Sequence, residues 1–439
     1  MRPSGRRSSR AGGAEDAPPL CIFESGISGP ERSGRERTHR AGDVITLPYD
    51  TMNREEAVRM ARSNPDSFLH VGRSEIDLPD VEDPYDHRVY EKARENLQDL
   101  IRRGVLVQDE EPMLYVYREI WNGSIQTGIV GCSSVEDYRN GVIRRHELTR
   151  RAKENDRIRH IMATRAHTGS VFLVYRENPA LRAVLEDITS RQDPEVDVVS
   201  FGAVRHQVWP VREQNVICRI VELFREIPTL YIADGHHRCR ASAIACEKFR
   251  IENPDWTGEE PFNYTLATFL PDRDLHCLDY NRVVRDFNGM SAVGFMKAVT
   301  DAGFRLERMG TEPYRPRKLH EFGVYFCGTW FRMTAEDRVI PPAEDVIGSL
   351  DVSILQNSLL APVLGIRDPR SDDRIDFVGG IRGLEEVQRR AERDMKIGFA
   401  LFPLPVQQLF RAADAGKTMP PKSTWFEPKL ASGLFVHLL

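Results

Sequence analysis

Apolar residues in this chain come in strand-sized runs separated by segments of helical period, and that alternation admits few folds. VFLVY (171–175), among the longest such runs, falls far short of the roughly 18 residues that a membrane-spanning helix needs. Hairpins are mixed with the strand–helix steps. MLYVYREIW and SIQTGIVGCSSV flank Asn122-Gly123, the pair best suited to a two-residue hairpin turn. FGVYFCGTWFRM reads as a second strand pair. In 87–104, Val89, Ala93, Leu97, Leu100 and Ile101 share one helical face, and Gly104 suits the C-terminal cap. Helices are also predicted over 54–64, 216–227 and 238–250, and a short strand at VITLPYD (44–50). Hairpins do not suit a doubly wound parallel sheet. The predicted class is therefore α+β, with mixed sheets, hairpins and flanking helices.

Residues 1–42 differ from the rest. They are rich in Arg, Ser, Gly and Pro and bury too little apolar surface to offset their ordering entropy, so a disordered tail is expected. Two α+β lobes are expected to follow, 43–180 and 181–439. Lys and Arg number 61 against 66 Asp and Glu, a net charge of −5, which argues against a chain-wide grip on nucleic acid. The 7 cysteines form no C-x-x-C pair and fit free thiols in a reducing cytoplasm. No membrane association is expected.

The densest cluster of functional residue types is Asp234-Gly235-His236-His237-Arg238, between a strand and a helix. A strand entering a helix through Gly aims several N–H groups and the positive helix end at one spot, which favours an anion. Arg238 adds a bidentate phosphate donor. Asp234 could hold Mg²⁺ or receive a proton from an attacking hydroxyl. Adjacent His236 and His237 diverge by about 100° on a helix, so a shared zinc ion is not expected.

A second cluster runs from 144 to 159, with six arginines and one lysine against three acids. It reads equally well as a solvated helix face or as a phosphate-attracting patch around His146-Glu147, whose carboxylate could act as a base. A third stretch, MPPKSTWFEPKLASGLF (419–435), cannot be regular helix. Its Lys422, Ser423 and Thr424 could close on a ligand, or the segment could simply pack its aromatics.

VITLPYDTMNREEA, NPDSFLHV, DDRIDFVGG, YIADGHHR, DYNRVV and MPPKSTWFEPKLASGLF together resemble the domain-of-unknown-function family numbered one thousand and fifteen, over about 44–439. The DGHHR turn is also similar to that of ParB-like free serine kinases, and GHHRCRASAIA to the phosphate-binding box of ParB and sulfiredoxin. The resemblance implies a ParB/sulfiredoxin-like phosphate-binding core. It further implies phosphoryl transfer from ADP, ATP or pyrophosphate to the hydroxyl of a free amino acid, L-serine above all, with Mg²⁺ as cofactor. Carried over by residue, Glu147 becomes the general base and Asp234 the second essential carboxylate and metal ligand. Gly235, His236, His237 and Arg238 cradle the phosphates, and His237 takes part in catalysis. Arg145 is expected to share a bound anion with Arg238, and His146 and Lys422 to lie at the same cleft. Position 239 departs from the family in being Cys. The rival reading is a ParB-like nucleotide-binding regulator or DNA-binding protein without kinase activity.

Overall fold

This computed structural model describes Ile22–Phe23 and residues 41–439 of the 439. The expectation of a disordered tail falls almost wholly outside the described residues. Ile22–Phe23, which that expectation included, is instead a short strand paired with Ser133 and Cys132.

Helix α1 (Arg54–Ala61) starts at a capping box: the Asn53 side chain accepts the Glu56 N–H, and Glu56 Oε2 accepts the Asn53 N–H, both at 2.9 Å. Helix α2 (His87–Arg102) buries Val89, Ala93, Leu97 and Leu100, the face its periodicity predicts, and Gly104 follows it at φ +64°. Strands β1 (Leu114–Trp121) and β2 (Ser124–Ser134) form the expected hairpin, with Asn122 and Gly123 both at positive φ as such a turn requires. After them come β3 (Ile143–Arg144), α3 (Arg151–Thr164), β4 (Val171–Tyr175), α4 (Pro179–Arg191), β5 (Val196–Val199) and β6 (Arg205–Val211). Next follow α5 (Gln214–Arg225), β7 (Leu230–Asp234), α6 (His236–Glu252) and β8 (Tyr264–Pro271). The predicted strand at VITLPYD does not form. Thr46 makes a single bridge to Ser432, and Pro48 has no N–H to continue a ladder.

These eight strands lie in the order β3-β7-β4-β8-β2-β1-β6-β5, and Ile22–Phe23 makes nine. β3 runs parallel to β7 and β8 parallel to β4, while the other pairings are antiparallel, so the sheet is mixed. Strands from both sides of residue 180 share this sheet, so no sheet boundary falls there.

The chain changes sheets after β9 (His276–Leu278). It continues through β10 (Tyr280–Val284), α7 (Ala292–Asp301), β11 (Phe304–Gly310), β12 (Glu321–Phe326), β13 (Thr329–Ala335), β14 (Ile375–Gly379), α8 (Gly383–Arg393) and β15 (Ile397–Ala400). Six of these strands form an antiparallel sheet in the order β11-β13-β12-β15-β10-β14. Helix α9 (Val406–Asp414) and strand β16 (Trp425–Glu427) follow, and β16 pairs with β9. One apolar core joins the layers: Tyr115, Phe172 and Tyr231 from the first sheet, Val324 and Phe399 from the second, and Phe426, Leu434 and Phe435 from the last segment. The segment 419–435 is thus a packed strap between the sheets. Its Phe426 and Phe435 are buried and its Trp425 is half-buried, and its turns lie over the end of β7.

Candidate functional site

Strands β3 and β7 are parallel neighbours, with Ile143 opposite Leu230 and Arg144 opposite Tyr231. Parallel neighbours leave a sheet at the same edge. The loop 145–150 after β3 and the turn 235–238 after β7 therefore emerge side by side. Two backbone groups tie them together: the Arg150 N–H donates to His237 Nε2 at 2.9 Å, and the His146 N–H to His236 Nε2 at 3.4 Å. The strap joins them through the Met419 N–H, which donates to the His146 carbonyl at 2.9 Å.

At the turn, Gly235 sits at φ +95° and α6 begins at once, with no side chain capping its N-terminus. The positive end of a 17-residue helix is thereby left toward the cleft. Asp234 Oδ1 accepts the Gly235 N–H at 2.9 Å, while Oδ2 faces Lys429 Nζ at 3.4 Å and Arg238 Nη2 at 3.7 Å. Burial works against the Asp234 carboxylate, but the Lys429 and Arg238 cations outweigh it and hold its pKa well below the ordinary value. Lys429 answers in kind: burial disfavours its ammonium, Asp234 more than compensates, and its pKa rises. Arg238 also donates to the Ser170 carbonyl. A Cβ on Gly235 would lie 3.0 Å from Arg238 Nε, in a backbone conformation that L side chains rarely adopt. Gly235→Ala is therefore expected to lower stability by about 1–3 kcal/mol, read as a drop in Tm.

Two adjoining cavities open at this edge. One, of about 270 Å³, is lined by His146, Glu147, Asp234, His236, Arg238 and Lys429, among others. The other, of about 560 Å³, is rich in cations, including Arg73, Arg150, Lys153 and Arg157, with Tyr49, Tyr85 and Leu148 as less polar walls. Tyr49, Asp50, Glu147, His237 and Lys422 line both. The Glu147 side chain is 46% exposed, with Oε2 4.0 Å from His236 Nδ1. Its recessed position raises its pKa, and Asp234 adds to that effect while Lys422 opposes it. His146 and His236 are buried beneath it, with ring centroids 4.6 Å apart and planes nearly perpendicular. Burial lowers both rings' pKa, that of His146 to about 4, so both are neutral near pH 7.

Most of the residues expected at the site do meet there: Glu147, His146, Asp234, Gly235, His236, His237, Arg238 and Lys422 all line the smaller cavity. Four expectations change in detail. Arg145 is exposed, interacts with Tyr138 and lines neither cavity, because adjacent residues in the extended loop face opposite ways. The Gly235 N–H is taken by Asp234 and is not directed at a ligand. His236 faces His146 and Glu147, while His237 accepts from Arg150 and so holds the 145–150 loop. Asp234 does not fit Mg²⁺: its oxygens already face one N–H and two cations, whereas Mg²⁺ needs an open octahedral shell of oxygens.

The arginine-rich stretch is not one free basic face. Arg144 pairs with Asp414, and buried Arg157 pairs with Asp156 at 2.8 Å and stacks on Tyr49. Lys429, Tyr49 and Asp50 were not expected at the site. They sit in motifs that carry the family resemblance, but nothing local sets them apart.

Fold and site together describe a mixed α+β protein whose sheet edge carries a carboxylate, two buried histidines and a group of cations. The chain belongs to the family described as a protein of unknown function (DUF1015), whose model matches residues 29–353. No curated protein matches it. Among solved structures it is similar to a free serine kinase in complex with AMP, at 9% identity and a TM-score of 0.34, covering 70% of this chain and 91% of that one. A conserved hypothetical protein from Pyrococcus furiosus is 11% identical with a TM-score of 0.33, over 70% of this chain and 95% of that one. C-terminally truncated SbnI from Staphylococcus aureus is 11% identical with a TM-score of 0.35, over 70% and 87%. Among the described residues, no helix is long and apolar enough to cross a membrane, and the six cysteines they include are free.

Proposed function

We propose that this chain is a phosphotransferase that moves a phosphoryl group from ADP, ATP or pyrophosphate to the hydroxyl of a free amino acid, with L-serine the favoured acceptor. The observation that carries the reading is the place of Glu147, a carboxylate with a raised pKa where a small cavity meets a larger, cation-rich one. In this scheme the acceptor occupies the smaller cavity and the donor the larger. Glu147 accepts the hydroxyl proton as the acceptor oxygen bonds to phosphorus and the bond from phosphorus to the donor oxygen breaks. The leaving phosphate takes up the negative charge. Lys422, which lines both cavities, and Arg150 and Lys153 in the larger one stand where that charge develops, while Arg238 and the uncapped start of α6 face the transferred group from the smaller cavity, the role of the expected ParB/sulfiredoxin-like phosphate-binding core. Asp234, fixed by Lys429 and Arg238, orients those cations. No step is routed through Mg²⁺, which the Asp234 setting does not fit.

Within this reading the catalytic edge belongs to a unit spanning both expected lobes, since the first sheet draws strands from 114 to 271. The test is a panel of hydroxylated amino acids crossed with ADP, ATP and pyrophosphate, followed by phosphorus NMR. O-phosphoserine is the expected product. No phosphorylated amino acid with any donor would sink the proposal, and salt-dependent retention on DNA in its place would support the regulator reading.

A further inference from the structure

His146 is 2% exposed, and neither of its ring nitrogens has a hydrogen-bond partner. Among the described residues, few buried side-chain nitrogen or oxygen atoms lack a partner, and this ring holds two of them. A buried polar atom left unpaired is costly, and such atoms in a native structure often mark a group that binds there. The perpendicular packing on His236 accounts for the ring's position but satisfies neither nitrogen. Ligand atoms of His146, Glu147 and His236 all lie within 4.8 Å of one another, and all three side chains line the 270 Å³ cavity.

We infer that His146, Glu147 and His236 hold a divalent cation of the zinc class. Two imidazoles and one carboxylate are borderline ligands that suit Zn²⁺ or Co²⁺, whereas Mg²⁺ takes oxygen ligands. Zinc bonds of about 2.0–2.2 Å put tetrahedral ligand atoms roughly 3.3–3.6 Å apart, so the trio has to close from its present spacing. Glu147, half-exposed at the cavity mouth, has the room to do so.

His236 Nε2 now accepts the His146 N–H across a long 3.4 Å, which leaves the ring proton on Nδ1, facing Glu147. Binding a metal through Nδ1 moves that proton to Nε2 and gives up the long contact. Three protein ligands leave at least one coordination position open toward the cavity, as in exchangeable rather than closed zinc sites. Lys422 and Lys429, which line the same cavity, oppose the ion, and Asp234 favours it. The ion also engages the lone pairs of Glu147. On the phosphotransferase reading, with which this consequence stands or falls, a zinc-class ion therefore inhibits transfer.

The test uses the full metal-free chain titrated with Co²⁺, with no donor or acceptor present. One equivalent is expected to give the visible absorption of a low-coordinate cobalt centre, displaced by Zn²⁺ but not by excess Mg²⁺. Glu147→Gln and His146→Gln should each weaken binding at least about tenfold, with the fold checked by circular dichroism. Glu147 is half-exposed, so its variant is informative even if the His146 variant fails to fold. Absence of Co²⁺ binding by the wild-type chain, or equal binding by the folded Glu147→Gln variant, overturns the inference. Cobalt binding without any amino-acid phosphorylation upholds the metal site and counts only against the kinase reading. Phosphorylation that Zn²⁺ does not inhibit overturns the inhibitory consequence.

Discussion

Replacing Glu147 with glutamine is expected to lower phosphoryl transfer by about 10²–10⁴-fold, the usual contribution of a positioned general base. The amide keeps the shape and polarity of the side chain but cannot accept the hydroxyl proton. The loss should therefore fall on kcat, with little change in KM for donor or acceptor. Burial raises the Glu147 pKa above 4.5, so the wild-type rate should climb with pH through that raised value. The variant should lose this limb of the profile. Steady-state rates, taken only over the pH range in which circular dichroism shows both proteins folded, decide the matter. A variant within threefold of wild type, or one that keeps the acidic limb, would assign the base to another group.

The second large effect concerns acid stability. Burial lowers the pKa of His160 and His206 from 6.5 to about 4, and lowers those of His167 and His437 as well. His160 makes its contact with the Val71 carbonyl at 3.0 Å, and His206 lies between Tyr117 and Ser200 at 2.6 and 2.7 Å. Such groups are neutral when folded and protonated when unfolded, so the unfolded chain binds more protons between about pH 4 and 6.5. Stability is then complete above pH 6.5 and is lost as pH falls toward 4. Each of the two with a shift from 6.5 to about 4 accounts for about 3 kcal/mol at ~1.4 kcal/mol per pH unit. Two together rival the total stability of a typical domain, roughly 5–15 kcal/mol. Glu119, which burial raises to about 8, works in the opposite direction, as do Glu147 and Glu427, but the histidines with lowered pKa values, His146, His236 and His237 included, outnumber them. Ellipticity followed against pH should show cooperative unfolding with a midpoint between 4 and 6.5. A chain still folded at pH 3 would contradict this.

What the sequence makes legible depends on how far apart the partners lie. Helices α1 and α2 and the Asn122-Gly123 hairpin depend on caps, periodicity and turn chemistry within a few residues, and all three form close to where they are predicted. The two-residue strand β3 carries no local signal, because only its pairing with β7 makes it a strand. The same holds for the sheet order, which ignores residue 180. At the site, the DGHHR turn is visible as a cluster of chemical types. The pairing of Lys429 with Asp234 spans 195 residues and has no local trace. Arg145 shows the converse failure. A run of basic residues says nothing about which of them turn inward, and here His146 is buried while Arg145 points to solvent.

The tie between the ends of β3 and β7 also bears on when the cleft comes into being. Helices and tight hairpins form from neighbours, whereas contacts spanning 87 and 195 residues carry a large loop-closure cost and raise the contact order. The cleft is thus among the last features a refolding chain acquires. A time course should show helical signal returning first and ligand binding last. A population rich in secondary structure yet functionally silent would separate the two.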